Sequence, residues 1–234
     1  MAKARPTFLF LLTLAALPAS GHDLWFERDG KGYVLLQGHR HSAHQGAEIV
    51  PYEAANVKSL LCADGAGAVR AVAAVTAYPA RVAADCAAVV GILSSGYWTK
   101  TAWETKNVPK TGISGVVKSW LSEETVKRIE RWSPALARPV SEQIEITPLA
   151  DPLKLAPGDK IAVRVSFAGK PRAGVPVAYD GDVRGATGED GSVSIRIRRA
   201  GMQMLSASLE EPLADGRADT VIRTAALVFD LPER

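Results

Sequence analysis

Three histidines fall within six positions, His39, His41 and His44, inside the run GHRHSAHQG bounded by Gly38 and Gly46. The only other histidine is His22. Neutral imidazole is a nitrogen ligand for transition metals, and a short histidine-rich tract reads as metal binding. A nitrogen-rich, sulfur-free donor set suits divalent nickel, cobalt, copper or zinc, whereas calcium and magnesium require oxygen ligands. Reduced copper would prefer sulfur, and Met202 and Met204 lie far along the chain from the cluster. Neither Cys62 nor Cys86 has a second sulfur at short spacing, so neither reads as a ligand. No histidine remains outside His22 and the cluster to serve as the remote base of a Ser-His-Asp set.

His22 gains its interest from what precedes it. Lys3 and Arg5 lead into an apolar run from Phe8 to Leu17, followed by the small residues Ala19 and Gly21. A run of about ten residues matches a cleaved signal-peptide core, since a membrane-spanning helix needs about twenty. Residues 1–21 are therefore expected to be removed and the protein to be exported. Cleavage after Gly21 makes His22 the first residue, with its amine free to bind a metal together with its own ring. Cleavage after Ala19 or Ser20 is the alternative and leaves His22 internal. In the first case four imidazoles and one amine give up to five nitrogen donors.

The elements that must position these donors come next. Leu24 to Phe26, the turn sequence ArgAspGlyLysGly and Tyr33 to Leu36 read as two strands around a glycine turn. A hairpin brings the start of its first strand beside the end of its second, so His22 should return next to Gly38 and His39. If the second strand stays extended, His39 and His41 share a face by period-two alternation, while His44 needs a turn. Asp23, Glu27 and Glu48 are the carboxylates near enough in sequence to orient ring nitrogens.

From Val50 to Leu93 valines and closely spaced turn signals favour strands over the helix that the alanines would allow. Cys62 and Cys86, an even count in an exported chain, read as one disulfide worth about 3 kcal/mol by loop closure. In SSGYWTKTAWETKNVPKTG, aromatic rings alternate with lysines; a loop folded over a sheet with its rings inward is favoured there over a docking surface. Ser122 to Trp132 reads as a short helix, with Ser122 as N-cap and Glu123 and Glu124 in the first turn. From about Glu142, alternating apolar residues such as Ile161, Val163, Val165 and Phe167 are separated by turn signals at short intervals. This predicts a sandwich of about seven antiparallel strands.

The fold expected is thus mainly β. An N-terminal β-rich histidine-cluster domain with a short helix, residues 22–140, precedes an antiparallel β-sandwich of immunoglobulin-like type, residues 141–234. Without Lys3 and Arg5 the 28 basic residues become 26 against 25 acidic, a balance that argues against nucleic-acid binding.

Taken in order, HisAspLeuTrp at 22–25, GHRHSAHQG, SGYWTKTAWETKN, PLADPLKLAPGDKIAVRVSFAGKPRAGVPV and TGEDGSVSIRIRRAG resemble a family of bacterial periplasmic proteins. These accompany energy-coupling nickel and cobalt uptake transporters and carry a carboxypeptidase-regulatory-like, or transthyretin-like, C-terminal domain. The resemblance implies capture of nickel, or of cobalt, and delivery to a membrane transporter component; copper and zinc stay open as the alternatives that the donor set allows. His22, His39, His41 and His44 are the ligands it implies, and it implies no catalysis. Two other classes remain open: a copper enzyme built on a terminal-histidine brace, and a structural exported sandwich. Chelation by imidazoles with ordinary pKa values near 6.5, and by an amine near 8, predicts affinity that climbs with pH across the neutral range.

Overall fold

The computed structural model describes residues 22–40, 48–72 and 77–233. Strands β1 (Asp23–Asp29) and β2 (Gly32–Gly38) form the antiparallel hairpin expected of the glycine turn, with Asp23 opposite Gly38 and Asp29 opposite Gly32. Apart from a 3-10 turn at Ala54–Asn56, the regular structure of the described residues between Val50 and Leu93 is strand, as the valines suggest. The stretch contributes β3 (Val57–Ala63), β4 (Val69–Ala71) and β5 (Arg81–Val82), the last pairing with β2. Cys62 and Cys86 are joined, with Cα atoms 5.4 Å apart.

Two 14-residue strands dominate the middle of the chain: β6 (Ala88–Thr101) and, beyond the short β7 (Thr105–Lys106), β8 (Val116–Ile129). The helix expected over Ser122 to Trp132 is not formed; most of that segment is the C-terminal half of β8. Local propensity loses here to tertiary pairing. Ten residues of β8 pair in parallel with β16 (Thr220–Leu231), while its other edge pairs antiparallel with β6. Its backbone is thus paired on both edges, and the layers packed on its two faces bury Thr125 through Ile129.

The second half supplies β9 (Glu145–Pro148), β10 (Lys160–Phe167), β11 (Lys170–Pro171), β12 (Pro176–Tyr179), β13 (Asp182–Ala186), β14 (Ser192–Arg196) and β15 (Gly201–Pro212), with β16 completing eight. Strands β9, β10, β11 and β14 form one sheet. The others join the N-terminal strands in a nine-stranded sheet ordered β13-β12-β15-β16-β8-β6-β3-β4, with β7 on β6. That sheet continues across residue 140, because β8 and β16 are neighbours in it.

Alternation along β15 and β16 explains the layering, because successive side chains leave a strand on opposite faces. Leu205, Ala207, Ala225, Leu227 and Phe229 pack with Ile146, Ile161, Val163, Val165 and Ile195 of the four-stranded sheet. Met204, Ala226 and Val228 pack on the other side with Leu24, Phe26, Tyr33 and Leu35 of the β1-β2-β5 sheet. The nine-stranded sheet is therefore the middle layer, and the hairpin carrying His22 and His39 lies across its outer face. Phe26 is fully buried, and a side chain of its kind contributes about 2–3 kcal/mol on burial. It sits over Gly91, where an added Cβ would lie 3.2 Å from the Phe26 ring and 3.3 Å from Val126. Arg128 fixes the hairpin from below, its Nη1 donating to the Phe26 carbonyl at 3.2 Å while the rest of the guanidinium bonds Glu130 and Asp230.

Candidate metal centre

The pairing of β1 with β2 returns His22 beside His39. Their ring centroids are 4.7 Å apart with planes inclined at 68°, although the residues are separated by a whole hairpin. His41 and His44 lie outside the described residues, so two of the four candidate ligands are placed. Among the described residues, no group of three or more His, Cys, Asp or Glu is arranged to hold a metal ion.

The end of β2 is held closely. Gly38 bridges to Ile49, the His39 amide donates to the Glu48 carbonyl at 3.1 Å, and Val50 donates to Gln37 at 2.8 Å. The segment Glu48 to Val50, which follows the cluster, is thus tied back to the strand that precedes it. A Cβ on Gly38 would fall 1.9 Å from the Glu48 carbonyl oxygen, so any side chain there forces the two segments apart. Gly38→Ala is expected to destabilise the protein by about 1–3 kcal/mol through overpacking, and to weaken metal binding by displacing His39. Urea denaturation and a metal titration on the same variant measure both effects.

The three carboxylates expected near the rings have different employment. Asp23 Oδ2 accepts from the Arg40 amide at 3.0 Å. Glu27 Oε1 accepts from Trp25 Nε1 and from Arg40 Nη1, each at 2.9 Å. Glu48 takes part through its carbonyl. Arg40 is the residue the sequence reading passed over. Its guanidinium lies 5.4 Å from the centre of the Trp25 ring, and it ties the end of β2 to β1 at both Asp23 and Glu27. Its one visible signal was its position between two of the histidines. Met204, remote in sequence, belongs to the same apolar cluster as Leu24 and Trp25 and is buried there as core.

The electrostatics favour the ligating form of His22. Partial burial of the ring, then the neighbouring His39, lower its pKa, while Asp23 opposes them. A proton leaving at lower pH than the ordinary 6.5 keeps the imidazole neutral through the neutral range. The unfolded chain takes up this proton first as pH falls. This group therefore costs no stability above about pH 6.5 and favours unfolding progressively as pH falls below it. In metal-free protein, an NMR titration should find His22 protonating below the value of a free histidine; a midpoint at or above that value contradicts the assignment.

The model of the family described as domain of unknown function DUF4198 matches residues 19–211. The chain belongs to this family. The DUF4198 match takes in the hairpin, the histidine cluster and every strand through most of β15, so the candidate centre lies inside the family's own boundaries. No curated protein and no solved structure matches the chain.

Proposed function

We propose that this DUF4198 protein is exported to the periplasm, captures a divalent transition metal at the open end of its β1–β2 hairpin, and passes it to a membrane uptake transporter. Nickel, or cobalt, is the cargo this reading favours, and His22, His39, His41 and His44 are its ligands. The observation that carries the reading is the His22–His39 pair. Two imidazoles bound to one metal at about 2.0–2.1 Å place their centroids about 4.5 Å apart at a right angle and about 5.2 Å apart at the tetrahedral angle. The 4.7 Å separation lies within that interval.

The terminal amine released by cleavage before His22 would add a donor that shares a chelate ring with the His22 imidazole. A site of imidazoles and an amine binds reversibly, because every donor is also a base, and metal and protons compete for it. With the His22 pKa lowered, competition from its ring starts only below about pH 6.5, whereas the amine competes up to about pH 8. Nickel affinity should therefore rise steadily from about pH 5.5 to 8. Competition titrations against a chromophoric chelator across this range test the reading; affinity that stays flat contradicts it.

A further inference from the structure

We propose that the far end of the β6–β8 hairpin is a membrane-docking tip, which inserts Trp103 into the headgroup layer of an anionic phospholipid bilayer. The inference is independent of the metal reading. It starts from sheet register. β3 pairs with β6 only as far as Leu93, and β16 pairs with β8 only from Trp120, so the paired residues beyond them extend past both neighbouring strands. The chain between the two long strands is not the inward-folded loop expected from its sequence. β6 turns directly into β7, and Trp103 stands on that turn with 92% of its surface exposed.

The turn holds its shape without the indole. The Thr101 amide donates to the Glu104 carbonyl at 2.9 Å, and the amides of Trp103 and Glu104 both donate to Thr101 Oγ1 at 3.3 Å. Behind it Trp98 and Trp120 face one another across the strands, stacked at 6.3 Å with planes 10° apart. Trp103 is thus presented by a hydrogen-bonded turn that makes no use of its indole. Val108 and Val117 are exposed nearby.

A single exposed apolar residue needs no explanation. The charges around this one point to an occupant. Lys100, Lys106, Lys110, Lys118 and Arg217 stand there against Glu104, Glu210, Asp215 and Asp219, a surplus of one positive charge. Lys106, Lys110 and Lys118 have carboxylate partners at Glu104, Asp219 and Glu210, whereas Lys100 pairs with none among the described residues. Tryptophan partitions to the headgroup level of bilayers, and lysines beside it are attracted to anionic lipid. A polysaccharide site would instead present ring faces as a platform, and here the Trp98 and Trp120 faces are turned towards each other. No helix among the described residues is long and apolar enough to cross a membrane.

The test is flotation of the mature protein with vesicles of phosphatidylglycerol and phosphatidylethanolamine, compared with phosphatidylcholine alone. The wild type should float with the anionic vesicles and be released by about 0.5 M salt, which shortens the range of the attraction. Trp103→Ala should bind about tenfold or more weakly, as expected from returning part of an aromatic side chain to water. Lys100→Ala should bind about fivefold more weakly, and Trp103→Phe should retain most of the binding. An unchanged near-ultraviolet circular dichroism baseline outside the Trp103 contribution confirms that the variants are folded. Failure to float, equal flotation of Trp103→Ala, or retention on an insoluble polysaccharide or a protein partner without vesicle binding overturns the proposal.

Discussion

Replacing Glu145 with leucine should destabilise the protein by about 3–5 kcal/mol, the cost of leaving one charge of a buried ion pair uncompensated. Lys127 and Glu145 are both fully buried and joined at 2.5 Å, Lys127 projecting from β8 and Glu145 from β9. The two partners are not equivalent. Glu145 also accepts from the Val140 and Ser141 amides and from the Ser141 hydroxyl, at 2.9–3.1 Å, and from Thr147 at 3.4 Å. Among the described residues Lys127 has only Thr147 Oγ1 besides, at 3.4 Å. Lys127→Met therefore leaves a carboxylate that is still well hydrogen-bonded, and should cost less than Glu145→Leu. The double variant Lys127→Met/Glu145→Leu should recover part of the loss, but not all, since the amides of residues 140 and 141 lose their acceptor. Urea denaturation of the three variants measures these differences. Single variants within about 1 kcal/mol of wild type would show that the pair does not bind β9 to the middle sheet.

His22→Ala and His39→Ala should each lower nickel affinity by more than about a hundredfold, because loss of a direct ligand exceeds the 10–100-fold cost of losing an outer partner. The folded protein should survive both changes: His22 is exposed and His39 half-buried at the hairpin end. A third variant separates the amine from the ring. Two residues added before His22 in the mature protein leave the imidazole in place and remove the chelate with the terminal amine. Affinity should then fall and lose its dependence on pH above about 7, where the amine titrates. His41→Ala and His44→Ala should also weaken binding. Equilibrium competition against a chelator of known affinity measures each change. Wild-type affinity in both His22→Ala and His39→Ala would remove the pair from the site.

Much of the framework was legible because it is local. ArgAspGlyLysGly marks the β1–β2 turn, and hairpin geometry alone carries His22 to His39. The alternation of Ile161, Val163 and Val165 marks β10, and the even cysteine count anticipates the Cys62–Cys86 bridge. What escaped is non-local. SEETVKRI has the charge and capping of a helix start, and nothing within it announces a parallel partner a hundred residues away at β16. Its two cations also end up buried on opposite faces, Lys127 against β9 and Arg128 against β1, where an amphipathic reading would have left them in water. Trp103 escaped for a related reason. Aromatic rings are usually buried, and only the register of β6 with β7 reveals that this one stands on a turn. Arg40 was overshadowed by the histidines on either side of it, although it is the residue that ties the end of β2 to Asp23 and Glu27.

Native mass spectrometry of the protein exported from a bacterial host, titrated with nickel, cobalt, copper and zinc, tests the capture reading most directly, because one spectrum reports the mature terminus and the bound metal together. The expected result is a mass beginning at His22 with one nickel or cobalt retained, absent from His22→Ala. A protein that retains no metal, or one that begins elsewhere, holds copper and consumes oxygen with a reductant, would contradict it.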